Sequence, residues 1–237
     1  MLALVSGSKA ARQFPKEFDL ALNWIQVQPF YTIFPRPVKI IAVEGLDGTG
    51  KSTLVNFLSC HLKAEAHYGL HKELLTHRYD YDLEEESEKR QFYLLGNIAL
   101  MAELQIVPQK KALSILDRSY ATTLSYALGN MARTAQDPIE QLLPPVPIRW
   151  PAHLRPDVYI VLHCEEQERL RRVNGRSVVE TNEEKDLAAS NAMRRTIDYC
   201  YRNFEGATVI DTTHLGHDEV NGLALQVINE QLNTSEV

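Results

Sequence analysis

The sequence predicts an α/β domain built on a five-stranded, mainly parallel sheet flanked by helices. Two observations predict it. From Val38 onward, short β-branched runs alternate with longer segments of helical period, the sequence sign of βαβ units. The first of those runs also ends in a glycine-rich turn that opens directly into a helical segment. With 237 residues, 44% apolar and 24% charged, the chain is long enough for one generous domain with a sizeable core.

Taken in order, residues 1–37 read as an N-terminal appendage or a targeting segment, and 38–237 as the main domain. The first sixteen residues carry Lys9, Arg12 and Lys16 with no acid before Glu17, which is the bias of an organelle transit peptide and equally of a short first helix. Trp24, Phe30, Tyr31 and Phe34 are apolar enough to pack, and Pro35-Arg36-Pro37 ends the segment. Strands are predicted at 38–43 (VKIIAV), 72–77, 112–116 (ALSIL), 158–163 (VYIVLH) and 207–210 (ATVI). Helices are predicted at 51–65, 84–106, 119–131, 165–174, 183–203 and 217–232. Between 132 and 156 six prolines, Pro138, Pro144, Pro145, Pro147, Pro151 and Pro156, preclude a long helix and predict a surface excursion beside the site.

The net charge of −6, from 31 acidic and 25 basic residues, excludes a broad footprint for duplex nucleic acid, so any anion must be bound locally. Cys60, Cys164 and Cys200 have no C-x-x-C spacing, which argues against a disulfide framework or zinc site and for an intracellular, reducing compartment, with all three in packing roles. No stretch approaches the ~18 apolar residues of a membrane span. His67 with His71 and His214 with His217 are interrupted by Gly69 and Gly216, and neither pair reads as a metal site.

The first strand is followed by EGLDGTGKST, in which Gly45, Gly50, Lys51 and Ser52 satisfy G-x-x-x-x-G-K-[ST] in the strand-to-helix context that motif requires. The backbone of Gly45, Leu46, Asp47, Gly48, Thr49, Gly50, Lys51, Ser52 and Thr53 can wrap a phosphate at a helix N-terminus. Lys51 can bridge the β- and γ-phosphates, and Ser52 offers a hydroxyl to Mg²⁺. The motif implies a P-loop fold that binds a nucleoside triphosphate. In ILDRSY an apolar strand ends in Asp117-Arg118, a carboxylate for a Mg²⁺-bound water or the attacking oxygen, and a guanidinium for a second phosphate. In CEEQERLRRVNGR, Arg169 and Arg172 share a helix face, Gly175 ends the helix and Arg176 follows, predicting an arginine-rich lid over the transferring phosphate. The competing reading is a solvated face laced by Glu165 with Arg169 and Glu168 with Arg172. Phe92, Tyr93 and Tyr126 fit a base platform or ordinary core positions.

EGLDGTGKST, LDRSY and RPDVYIVLHCEEQERLRRVNGR together resemble the P-loop, DR motif and lid of the thymidylate kinase superfamily of nucleoside monophosphate kinases, over 38–235. FYLLGN, RWPAHLRPD and GRSVVETNEE resemble its mitochondrial UMP–CMP kinase branch. The resemblance implies ATP as donor, Mg²⁺, a pyrimidine nucleoside monophosphate (CMP, UMP, dCMP or dUMP) as acceptor, a homodimer, and a mitochondrial address, with the cytosol as the alternative. It implies that Arg118 and Arg78 contact the acceptor phosphate, Asp47 the acceptor sugar and Tyr126 the acceptor base. Asp117 lies near the metal. Some thymidylate kinases carry a catalytic arginine where this chain has Gly48, so Arg169, Arg172 and Arg176 inherit the charge of transfer. Registered on Asn97, the base-reading phenylalanine and arginine of thymidylate kinases fall on Leu94 and Ile98, which disfavours dTMP. A thymidylate kinase, a deoxynucleoside kinase and a catalytically silent nucleotide-binding regulator are the alternatives.

Overall fold

The computed structural model describes residues 8–31, 38–107, 109–137, 147–175 and 182–233. Five strands, Lys39–Glu44 (β1), Glu65–His67 (β2), Leu113–Asp117 (β3), Val158–His163 (β4) and Ala207–Asp211 (β5), form one sheet in the order β2-β3-β1-β4-β5. Every pairing is parallel. Register pairs Val43 with Asp117 and Glu44 with Val161, so the carboxyl ends of β1, β3 and β4 share one edge.

Alternate residues of β1 enter different cores. Ile40 and Ala42 face a layer with Leu95, Ile98, Tyr126, Ile197 and Tyr201. Ile41 and Val43 face Leu54, Leu58, Ala224 and Ile228. Both faces are covered, which explains why the central strands are continuous apolar runs instead of alternating ones. The first layer is carried by three helices, Glu86–Ile106 (α6), Tyr120–Ala135 (α7) and Asn191–Asn203 (α10), and the second by Lys51–His61 (α3) and His217–Asn233 (α11).

Two short N-terminal helices, Lys9–Gln13 (α1) and Pro15–Tyr31 (α2), lie against α6. Ser8 caps α1 by accepting from Ala11 N at 3.0 Å. Ala10, Phe14 and Ala21 are buried in the first core, and Phe14 meets Tyr81 and Phe92 at 6.4 and 6.1 Å between ring centroids. The side chains of 24–31 and the whole of 1–7 and 32–37 lie outside the described residues.

The strand predicted at 72–77 is not there. That segment forms the helix Lys72–Leu75 (α4), capped by His71, and Arg78–Asp82 (α5) follows. Its Lys-Glu-Leu-Leu run consists of good helix formers. The true second strand, β2, is a three-residue edge with an exposed-exposed-intermediate pattern, held by backbone pairing to β3 and by no apolar run. The helix predicted at 183–203 is two, Asn182–Ala189 (α9) and α10, because the Ser190 hydroxyl caps α10 by accepting from Met193 N at 3.2 Å. Of the proline-rich span, the described residues 147–156 are only in part a surface excursion: Pro147, Arg149, Ala152 and Arg155 are exposed, but Trp150, Leu154 and Pro156 are buried, and Trp150 donates to Glu205 O at 2.9 Å. Cys164 and Cys200 are buried as expected, but Cys60 is exposed. Among the described residues no helix is long and apolar enough to cross a membrane, and no group of three or more His, Cys, Asp and Glu could hold a metal ion.

Candidate active site

The loop between β1 and α3 is shaped by its glycines. Gly45 has φ +143°, and a Cβ there would stand 2.3 Å from the Leu162 carbonyl of β4. Gly50 caps α3 in the left-handed region at φ 101°. Thr49 Oγ1 donates back to Leu46 O at 2.8 Å. Lys51 is buried, and its Nζ lies 3.0 Å from Leu46 O and 3.5 Å from Asp47. Burial, and after it Arg118, presses the Lys51 ammonium toward its neutral form, against Asp47 and Asp117. An anionic phosphate would restore the charge. Ser52 Oγ donates to Asp117 Oδ2 at 2.9 Å, which brings two hard oxygen donors together at the start of α3. That donor set fits Mg²⁺.

Arg118 follows β3 in a left-handed conformation, φ 75°, a geometry that costs a non-glycine residue about 1–3 kcal/mol and persists only where neighbours over-determine it. Its N–H donates to Val43 O at 3.2 Å. Gly69, itself at φ +68°, presses on it so closely that a Cβ would lie 2.6 Å from Arg118 O. Its Nη2 donates to Asp47 Oδ1 at 2.5 Å, while Nη1 is buried with no hydrogen-bond partner among the described residues. Burial is the largest single influence and works against the guanidinium charge, but Asp47, Tyr126, Tyr201 and Glu44 together outweigh it and hold Arg118 well above its ordinary value. Asp47 therefore stands between the P-loop lysine and the DR arginine.

A cavity of about 160 Å³ opens beside this pair, lined by Asp47, Arg78, Arg90, Tyr93, Asn97, Arg118, Thr122, Thr123 and Tyr126. Three arginines facing one carboxylate give a locally positive chamber on an acidic protein. Arg78 does reach this cavity, but from the first turn of α5 and not from the end of a strand. Arg90, Tyr93 and Asn97 follow one another along α6 at helical spacing. Leu94 and Ile98, expected there, instead join the core: Ile98 is fully buried and Leu94 packs on the first layer. Registration on Asn97 alone misjudged which face turns inward, and so missed Arg90. Phe92 also belongs to the core, stacked on Tyr81 at 4.0 Å. Tyr126 is 2% exposed and lies between the guanidiniums of Arg90 and Arg118, at 5.6 and 5.8 Å from its ring, so it supports two cations as well as lining the cavity. Asn97 joins three elements, donating to Gly69 O at 2.6 Å and accepting from Thr123 Oγ1 at 2.7 Å.

The arginine helix, Glu166–Asn174 (α8), approaches from the other side. Arg169 is 4% exposed; Nη1 donates to Asp47 O at 2.9 Å, and Nε and Nη2 chelate Glu166 at 2.8 and 3.0 Å. Arg172 turns elsewhere, donating to Thr212 O at 2.7 Å, Thr212 Oγ1 at 3.1 Å and Glu168 at 2.7 Å. Hydrogen bonds from Arg171 and Arg172 pull the Glu168 carboxyl down to about 2. Of the two pairs expected to lace this helix, Glu168 with Arg172 is present, whereas Arg169 pairs with Glu166 instead of Glu165 and also reaches the P-loop backbone. Arg176 lies outside the described residues. Arg172 borders a larger space of about 660 Å³ with Gly48, Thr53, Thr212, His214 and Asn221, on the side of the loop away from Arg118.

Residues 43–221 match the family model for thymidylate kinase. Human mitochondrial UMP-CMP kinase 2 is 32% identical over 181 residues, covering 74% of this chain and 39% of that protein, so the chain spans well under half of that relative. Among solved structures, thymidylate kinase from Candida albicans superposes with a TM-score of 0.60 at 18% identity, covering 84% of this chain and 95% of the other. Deoxyadenosine kinase from M. mycoides with bound dATP superposes with a TM-score of 0.55 at 17% identity, covering 81% and 99%. Both share the P-loop NTPase fold with its five-stranded parallel sheet. The family match runs from the end of β1 into α11 and so takes in the P-loop, the Arg118 turn and the arginine helix together: the chain belongs to the thymidylate kinase family.

Proposed function

We propose that the protein transfers the γ-phosphoryl group of ATP to the 5′-phosphate of a pyrimidine nucleoside monophosphate, CMP, UMP, dCMP or dUMP. The observation that carries the reading is the Lys51–Asp47–Arg118 chain, which couples a triphosphate loop to a cavity bearing three arginines. A phosphate acceptor suits that charge. The neutral hydroxyl acceptor of a deoxynucleoside kinase needs a carboxylate base instead, and Asp47 is bound to Arg118 and Lys51.

In this reading the triphosphate lies along the P-loop backbone with Lys51 at its β- and γ-phosphates, and the donor base occupies the space beside Arg172 and Asn221. Ser52 and Asp117 hold Mg²⁺, which when bound offsets charge on the phosphate oxygens. Arg118, with Arg78, holds the acceptor phosphate. Its oxygen is already largely deprotonated near neutral pH, so no general base is required. A new bond forms from that oxygen to the γ-phosphorus as the bond to the β-bridging oxygen breaks, leaving ADP and a nucleoside diphosphate. Arg169 meets the charge of transfer from above Asp47, and positioning supplies most of the acceleration.

A CMP or UMP acceptor is favoured by the 32% identity to human UMP-CMP kinase 2. A thymidylate kinase is the second reading, and Arg90 favours it, since a helix arginine beside the base can serve thymine as well as uracil. Initial rates with ATP, Mg²⁺ and each monophosphate decide between them. A fluorescent fusion of residues 1–36 tests the mitochondrial address that this mitochondrial relative suggests.

A further inference from the structure

Glu44 ends β1 with its side chain fully buried, yet it borders neither cavity. A carboxylate in that position is costly unless something there needs what it accepts. One oxygen, Oε1, accepts from both Ser119 N at 2.7 Å and Ser119 Oγ at 2.8 Å. The other accepts from Thr122 Oγ1 at 2.7 Å, which in turn meets Tyr201 Oη at 3.1 Å. The bonds that Glu44 accepts thus land on Ser119, the residue after Arg118 and the cap of α7, and on the first turn of α7 itself.

We propose that Glu44 is the positioning residue for Arg118: its carboxylate pins Ser119 from beneath, and so holds Arg118 in the left-handed conformation that turns its guanidinium toward Asp47 and the acceptor cavity. The proposal rests on the kinase reading above for its kinetic consequence, though not for its structural one. A non-glycine residue stays at φ 75° only under constraint from several sides. Val43 O binds the Arg118 N–H, Gly69 closes on its carbonyl, and Glu44 fixes the next peptide. Of the three, Glu44 alone acts through a side chain. Its charge could instead matter through space, as a counterion to Arg118 and Lys51. Reach and charge are separable.

Glu44→Gln keeps an oxygen acceptor for Ser119 and removes the charge. Glu44→Asp keeps the charge and withdraws the oxygens by one methylene. Glu44→Met fills the core and removes both. The expected result is an acceptor KM raised about tenfold or more in the Asp and Met variants, with ATP KM changed less than about twofold and the Gln variant close to wild type. A purely structural role would be met by Met, which suits a core position, so the Met variant decides the matter if the Asp variant fails to fold. A Met variant with wild-type acceptor KM, a Gln variant as impaired as Asp, or equal rises in both KM values would overturn the proposal. If the wild type phosphorylates none of the monophosphates, the kinase reading has failed, and Glu44 is judged by a crystal structure of the Met variant. Arg118 leaving the left-handed region supports the assignment there, and Arg118 keeping it refutes it.

Discussion

Arg169 Nη1 donates to the backbone carbonyl of Asp47 at 2.9 Å, joining residues 122 positions apart in the chain. The contact is closer still at the next residue: a Cβ on Gly48 would stand 2.8 Å from Arg169 O and 2.9 Å from Val173 Cγ2. The P-loop and α8 pack backbone to backbone, so no side chain fits at 48 beneath the helix. In the kinase reading, the help that an arginine at 48 would give falls to α8, alongside Lys51. Arg169→Ala is expected to lower kcat by about a hundredfold with acceptor KM little changed, the signature of charge met only during transfer. Arg118→Ala should do the reverse and chiefly raise acceptor KM. Steady-state kinetics on both variants separates these roles, and exchanged patterns would exchange the assignments.

Lys51 faces the loop and carries a pKa lowered chiefly by burial. The unfolded chain therefore binds that proton to higher pH than the folded one, and at neutral pH the charged ammonium is a cost to the ligand-free protein. Lys51→Met removes the cost together with the phosphate contact. Phosphoryl transfer should fall below detection while the thermal midpoint at neutral pH stays level or rises. Retained activity in a folded variant would remove the lysine from the mechanism.

What could be read from the sequence follows from which physical rule was strongest at each place. The P-loop, β1, β3, β4 and the Asp117-Arg118 turn were legible because a continuous apolar strand followed by glycines or a charged pair has few other interpretations. β2 was not, since Glu65-Ala66-His67 has no apolar pattern and owes its strand geometry to its neighbour. Arg90 was hidden by a registration that fixed Asn97 and then counted to the wrong face of α6. Arg169 and Arg172 look equivalent in sequence, and only the fold sends one to Asp47 and the other to Thr212. Glu44 carried no signal beyond a charged residue closing an apolar run.

Phe14 ties the N-terminal helices to the acceptor side. Its ring lies 5.2 Å from His77, the residue before Arg78, and it also meets Tyr81 and Phe92, while Tyr81 Oη donates to Gln13 at 2.8 Å. Phe14→Ala should cost about 3 kcal/mol of stability, as a buried aromatic truncation typically does, and shift the urea midpoint accordingly. Acceptor KM should rise with it, because α5 loses its backing. A destabilised variant with unchanged acceptor KM would confine Phe14 to packing.

Burial raises the Glu44 carboxyl above its ordinary value of 4.5, outweighing Thr122, Arg118 and Ser119. The folded protein then holds that proton to higher pH than the unfolded chain. Between the two values the native state binds more protons, so stability falls as pH rises and stays reduced above the native value. Glu44→Gln never ionises and escapes the loss. Its thermal midpoint should exceed that of the wild type at about pH 8, the gap closing as pH falls toward the carboxylate range. A gap independent of pH would show that the carboxyl titrates normally.

Arg90 offers the most direct handle on the acceptor base. It lies over the rings of Tyr126 and Tyr93, at 5.6 and 5.9 Å, and is ion-paired to Glu86, so its place on the cavity wall is held from three sides. A planar, fixed guanidinium beside a base reads its edge, and in the proposed reading Arg118 and Arg78 serve the acceptor phosphate, which leaves Arg90 for the base. Arg90→Met keeps the length and the aromatic contact and removes the donors. A base edge left without its donor should lose about 1–3 kcal/mol of transition-state binding, and the loss should differ between CMP on one side and UMP and dTMP on the other, because cytosine presents a different edge whereas uracil and thymine present the same one. The measurement is kcat/KM for each monophosphate in wild type and variant. Wild type should favour CMP and UMP over dTMP, and the variant should shift the ratio of CMP to UMP kcat/KM by about tenfold while leaving the ratio of UMP to dTMP, and the ATP KM, unchanged. An equal loss for every acceptor would move Arg90 to the phosphate, and a wild-type preference for dTMP would replace the UMP–CMP assignment with thymidylate while leaving the family, the P-loop and the Arg118 turn as they stand.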